Sequence, residues 1–201
     1  MEKERFLAFT DAIIAIIATI MVLEFKTPDK SGWPALAELT IPLLAYALSF
    51  FMIMTVWYNH HQLYRDIKNI TPRIFLLNTL WLFIMSFFPF TTGWVGKHAS
   101  EFLPEFFYLI VIFLWAAVFH LMDHELLKEN PDKEYKELTH SLSGRNLFLI
   151  NFLSIVIVWF WPPIGLVCVA MLATISLISF LKKQKSRQLM TAFYFNLLVH
   201  P

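Results

Sequence analysis

Six apolar runs, at about residues 7–25, 39–62, 74–95, 106–124, 147–161 and 164–181, constrain this chain more than any other feature. A helix needs about 20 apolar residues to cross a bilayer, so the runs read as membrane spans. The fifth is short. It meets the sixth at Trp161-Pro162-Pro163, where two prolines end one helix and start the next. An alternative keeps these last two runs as one broken re-entrant unit.

Composition agrees with an all-α integral membrane protein. Of the 201 residues 58% are hydrophobic, and only 15% are charged, against roughly 25% in soluble domains. A net charge of +1 gives no case for nucleic-acid binding. The single cysteine, Cys168, excludes an intrachain disulfide framework. The N-terminal apolar run is too long and its start too Glu-rich for a cleavable signal peptide, and no small-x-small site follows it.

Basic residues orient the spans. Thirteen of the sixteen lysines and arginines fall on one side of a six-span layout, and only Lys26, Lys30 and Lys97 on the other. Cytoplasmic loops collect Lys and Arg, so both termini are expected in the cytoplasm. Five spans would put the Lys182–Arg187 cluster outside. The loop 125–146 mixes both signs and reads as a solvated cytoplasmic connection. Residues 1–201 then form one six-span membrane domain, with about 182–201 as a cytoplasmic tail; its apolar end, 188–201, lies at the interface or on a neighbouring subunit. A pore on the axis of such small subunits needs several copies around a symmetry axis.

The first run, RFLAFTDAIIAIIATIMVL from Arg5 to Leu23, carries two ionisable groups into the membrane. Each costs about 2.5–3.5 kcal/mol even on lenient insertion scales, so such groups face a bundle interior or a water-filled path. At 100° per residue, Ile16, Ile20 and Leu23 fall within about 60° of one another, and Asp11 lies about 140° from Ile16. Phe9 and Ala12 extend the apolar stripe, and Thr19 sits beside it. Ala8, Ala12, Ala15 and Thr19 make a small-residue stripe that lets another helix approach closely. The Ile–Leu stripe can line an axis as apolar rings that gate by dewetting, or it can simply face lipid or core; periodicity leaves both open.

Partners for Asp11 exist in Trp57, His60 and His61 at the end of the second run and in Asn78 and Trp81 of the third. They can form a hydrogen-bonded network that fixes helix packing, or His60 and His61 can relay protons. His120 and His124 have i, i+4 metal-ligand spacing, yet Leu121 stands where a zinc protease has its glutamate. There is no nucleophile elbow, phosphate loop or dinucleotide fingerprint, so no enzyme activity and no cofactor are expected. Glycines 32, 93, 96, 144 and 165 are scattered, which excludes a carbonyl-lined filter of the TVGYG kind.

The run Arg5-x-x-x-Phe9-Thr10-Asp11-Ala12 resembles the RxxxFSD signature of the transmembrane protein 175 family of potassium channels, with Thr10 in place of serine. Trp57-x-x-His60-His61-x-x-Tyr64 is similar to the family's second-helix motif, with tyrosine for phenylalanine. Asn78-x-Leu80 and Ser86-Phe-Phe-Pro89-Phe90 are similar to its third helix. The resemblance implies a homotetramer of six-span subunits with the first helix lining a central pore. It implies a hydrophobic bottleneck at Ile16, Ile20 and Leu23, and an influence of Thr19 on ion preference. Arg5, Thr10 and Asp11 are implied to bond polar groups on the second and third helices. A single-repeat chain is then expected in a bacterial cell membrane, conducting potassium passively and with modest selectivity. Two rival classes are a proton-coupled transporter using Asp11 and His60, and an intramembrane metalloenzyme at His120 and His124.

Overall fold

The computed structural model describes residues 2–29, 31–65, 67, 70–129, 142–175 and 177–178. It is all-helical among those residues. Helix α1 runs Lys3–Ile20 and tightens into a 3₁₀ turn, Met21–Glu24; α2 is the short Trp33–Glu38 and α3 is Thr40–Tyr64. Then come α4 (Pro72–Met85), α5 (Phe88–Lys97), α6 (Phe102–Glu129) and α7 (Leu142–Ile157). A further apolar helix, α8, covers Ile164–Ile175.

Among the described residues four segments are long and apolar enough to cross a membrane: Lys3–Glu24, Thr40–Tyr64, Pro72–Lys97 and Phe102–Glu129. They coincide with the first four apolar runs. The apolar parts of the last two, Leu147–Ile157 and Ile164–Ile175, are shorter than the roughly 20 residues a span needs. The chain turns between them through Trp161, Pro162 and Pro163. Residues 130–141, most of the expected loop, and the tail 188–201 lie outside the described residues.

Helix boundaries follow local chemistry. Thr71 caps α4, its hydroxyl accepting from the Ile74 N–H at 3.3 Å, and Pro72 occupies the first turn, where no N–H is needed. The third span is a single run in the sequence but bends between α4 and α5. Pro89 has no N–H to give to the Met85 carbonyl and its ring crowds that group, so the helix breaks at Ser86-Phe87. Ser86 Oγ turns back to the Phe83 carbonyl at 2.7 Å.

Helix ends alternate between two faces of the bundle. At one face Lys3 Nζ donates to the Arg65 carbonyl (2.8 Å) and Arg73 pairs with Glu125 (3.0 Å). This brings together the start of α1, the end of α3, the start of α4 and the end of α6. At the other face Glu24 lies against Gly93 of α5, and Gly96 lies against Pro42 of α3.

The core sits between α3, α4, α5 and α6. His60, Trp81 and Trp115 stack face to face, with centroids 4.8 and 5.5 Å apart and planes within 9° and 12°. Phe88 of α5 closes the ladder edge-on against Trp115 at 5.0 Å. Stacking between lipid-like aliphatic surfaces matters because the membrane supplies no hydrophobic drive for helix association; packing must hold the bundle. A close backbone approach is at Gly96, where a Cβ would come 2.9 Å from the Pro42 Cα. Gly96→Val is therefore expected to destabilise the subunit by about 2–3 kcal/mol through overpacking. An unchanged melting temperature in detergent would show that α5 and α3 are not in close contact there.

Candidate functional site

The two sides of α1 differ sharply. Phe6, Thr10, Ile14, Ile17, Ala18 and Met21 are buried against the rest of the chain. Ile16 (56% exposed), Ile20 (42%) and Leu23 (76%) lie bare, as do Phe9, Ala12, Ala15 and Thr19. Leu23 is in the 3₁₀ turn, not the α-helix. Residues three apart eclipse in a 3₁₀ turn, which stacks Leu23 over Ile20 and keeps the stripe continuous. Thr19 Oγ1 donates to the backbone, within 2.9 Å of both the Ala15 and Ile16 carbonyls. Its hydrogen is thereby held on the helix, and its lone pairs remain available.

Behind α1 the polar groups divide into two sets. In one, Asn78 is the hub: its Nδ2 donates to Thr10 Oγ1 at 2.9 Å, and its Oδ1 lies 2.9 Å from His60 Nε2. A carbonyl oxygen only accepts, so His60 carries its proton on Nε2 in this arrangement. All three residues are buried. In the other set, Trp57 Nε1 donates to Asp11 Oδ1 at 2.8 Å, and Asp11 is half-buried. The indole reaches the carboxylate; the amide and imidazole go to the neighbouring hydroxyl instead. Trp81 stacks in the aromatic ladder, and its Nε1 is buried without a hydrogen bond among the described residues.

Arg5 and His61 stand apart. Arg5 is exposed and lines a groove of about 580 Å³ between α1 and α4, walled by Phe6, Phe9, Phe75, Leu82 and Phe83. Among the described residues it makes no hydrogen bond to the Asp11 or Asn78 sets. His61 is exposed, its ring 6.3 Å from that of Trp57.

The other histidine pair is ordinary helix chemistry. His120 Nδ1 donates to the Ala116 carbonyl at 2.8 Å and its ring lies 5.4 Å from Phe148. Among the described residues no group of three or more His, Cys, Asp or Glu side chains is placed to hold a metal ion.

Sequence reasoning missed three features. The stacked Trp115 gave no signal in an apolar run. The Tyr108–Ser49–Thr92 hydroxyl chain joins α6, α3 and α5 in the core. Glu105 is fully buried, although the apolar run 106–124 begins after it. The usable clue was Pro104: a proline fits the first turn of a helix, which moves the start of α6 back to Phe102.

Apolar helices bundled around inward-turned polar groups, with one helix polar behind and apolar in front, define a polytopic helical membrane protein. The comparisons with known proteins make the class specific. Residues 5–89 match the family model described as endosomal/lysosomal potassium channel TMEM175. A potassium channel of Chryseobacterium sp. strain P1-3 is 32% identical over 188 residues, covering 92% of this chain and 98% of that protein. The chain belongs to the TMEM175 family, which is a family of ion channels rather than enzymes.

The zebrafish endosomal/lysosomal proton channel TMEM175 is 26% identical over 145 residues, covering 64% of this chain and 28% of that longer protein. The crystal structure of a lysosomal potassium-selective channel TMEM175 homolog from Chamaesiphon minutus has the same fold. Its TM-score is 0.63 at 23% identity, over 86% of this chain and 97% of that one.

Proposed function

We propose that this chain forms a homotetrameric, potassium-permeable channel in a bacterial cell membrane. Each subunit contributes six spans, α7 and α8 crossing in tandem, with both termini cytoplasmic. Four copies of α1 line the pore. One observation carries this reading: α1 turns Thr10 and Asp11 into bonded positions behind it and leaves Ile16, Ile20 and Leu23 bare in front. A helix built only to anchor needs no polar brace. Four-fold symmetry converts the bare stripe into stacked apolar rings that close the path when it dewets. The Chryseobacterium relative, a potassium channel along nearly its whole length, supports the choice of ion.

Thr19 stands beside those rings with its hydroxyl proton held by the backbone and its oxygen free to meet a cation. A single hydroxyl ring is a weak substitute for a cage of carbonyls, so selectivity for potassium over sodium is modest. The second reading, proton-coupled transport through Asp11 and His60, has one observation in its favour: His60 Nδ1 is buried with no hydrogen-bond partner among the described residues.

Reversal potentials of the reconstituted protein under opposed KCl and NaCl gradients test the proposal. Cation permeation with a small potassium preference is expected. Chloride permeation, or no preference at all, overturns it. Flux that saturates and follows an imposed pH gradient would favour the transporter instead.

A further inference from the structure

We propose that Glu105 is a pH-responsive latch that holds the first turn of α8 against α6, and that its ionisation loosens this joint. The proposal goes beyond the channel reading and does not depend on it. Glu105 lies in the first turn of α6 and is fully buried. Its Oε2 accepts from the backbone N–H of Leu166 at 3.1 Å. The carboxyl lies so close to α8 that a Cβ on Gly165 would overlap Oε2. Only glycine leaves that space. The other oxygen, Oε1, is buried and has no hydrogen-bond partner among the described residues.

Those contacts bear on two protonation states. An ionised carboxylate spreads its charge over both oxygens, and each then requires donors. Here the first turn of α8 supplies a donor and a partial positive charge to one oxygen. Beyond that, only the backbone of Ser100 is placed to hold the charge, and Oε1 has no partner within hydrogen-bond geometry among the described residues. Ionising the group therefore requires water to enter or the two helices to part, because a buried charge without partners is strongly disfavoured.

Among the described residues no compensating cation faces it. Tyr108 faces the carboxyl from α6 and Cys168 stands close by on α8. The side chains of α7 beside Cys168 are the neutral Asn151 and Ser154. Through Tyr108 the site meets the hydroxyls of Ser49 and Thr92 on α3 and α5. The backbone of Ser100 also faces it. The imidazole of His98 is exposed and bonded to the exposed Glu101 at 3.0 Å. Ser100 and Glu101 are exposed one turn away, so protons can reach the site from that end.

Cys168 is buried and is the chain's single cysteine, which makes it a reporter of the joint. The full chain in detergent is labelled with N-ethylmaleimide across a pH series, and the wild-type rate is divided by that of Glu105→Gln. The variant has the same thiol and cannot ionise at position 105, so the ratio cancels thiolate formation. The ratio is expected to be near one in acid and to rise with pH, about tenfold for each pH unit past the titration point. Gly165→Ala, whose methyl displaces the carboxyl, is expected to label faster than wild type even in acid. If Glu105→Gln does not fold, hydrogen exchange of the wild-type Leu166 amide, corrected for its intrinsic rate, carries the test. Its protection should fall as pH rises. A flat ratio, or protection that does not change with pH, overturns the proposal.

Discussion

Replacing Ile16 by asparagine is expected to raise potassium conductance, by about tenfold for each 1.4 kcal/mol that the change removes from the dewetting barrier. In a tetramer the substitution acts four times around one ring, which is why its effect is large. Ile16 is more than half exposed on the bare side of α1 and no neighbour in the subunit packs over it fully, so stability should be nearly unaffected. Ile16→Leu is the control: it keeps the ring apolar and should leave conductance close to wild type. Single-channel recordings in planar bilayers separate the outcomes. Currents of equal size in wild type and Ile16→Asn would remove Ile16 from the pore.

Asn78→Leu is expected to destabilise the subunit by about 2–4 kcal/mol, seen as a lower melting temperature in detergent and weaker assembly. Polar contacts between membrane helices average only about 0.6 kcal/mol in double-mutant cycles, because partners usually find alternatives. Here the alternatives are missing. The substitution strands Thr10 Oγ1 and His60 Nε2 together, both in fully buried side chains. Leaving a buried donor or acceptor unpaired costs about 1–3 kcal/mol for each group. That term exceeds the average contact energy and decides the sign. A melting temperature within error of wild type would mean that Asn78 does not bind the two helices to α1.

Both expectations concern one helix, and they show unequally in the sequence. The separation of Asp11 from Ile16, Ile20 and Leu23 is a matter of 100° steps, and any helix built from this run must respect it. The bonding pattern behind the helix is different. Trp57, His60, Asn78 and Trp81 are all competent partners for Asp11 by type and by depth. Which of them reaches it depends on how α3 and α4 rotate and slide against α1. In the folded chain the indole of Trp57 takes Asp11, Asn78 takes Thr10, and Trp81 joins a stack instead.

The third span teaches the same lesson at the level of the backbone. Pro89 was visible in the run, yet an apolar count treats 74–95 as one element. The missing N–H breaks the helix at Ser86-Phe87 without interrupting the apolar surface. Glu105 shows the reverse case. A charge at the edge of an apolar run reads as interfacial, whereas the backbone of α8, 61 residues away in the chain, comes over to cover it.

The sequence by itself determined that the chain is helical and membrane-embedded, where its apolar runs lie, its family, and which residues of the first helix share a face. Those properties depend on composition and on local periodicity, which the chain carries at every position. Only the tertiary structure decided that Asn78 serves Thr10 rather than Asp11, that His60, Trp81 and Trp115 form one ladder, and that Glu105 closes onto α8. These pairings rest on helix rotations and close approaches of a few ångströms between segments far apart in sequence, and local periodicity carries no record of them.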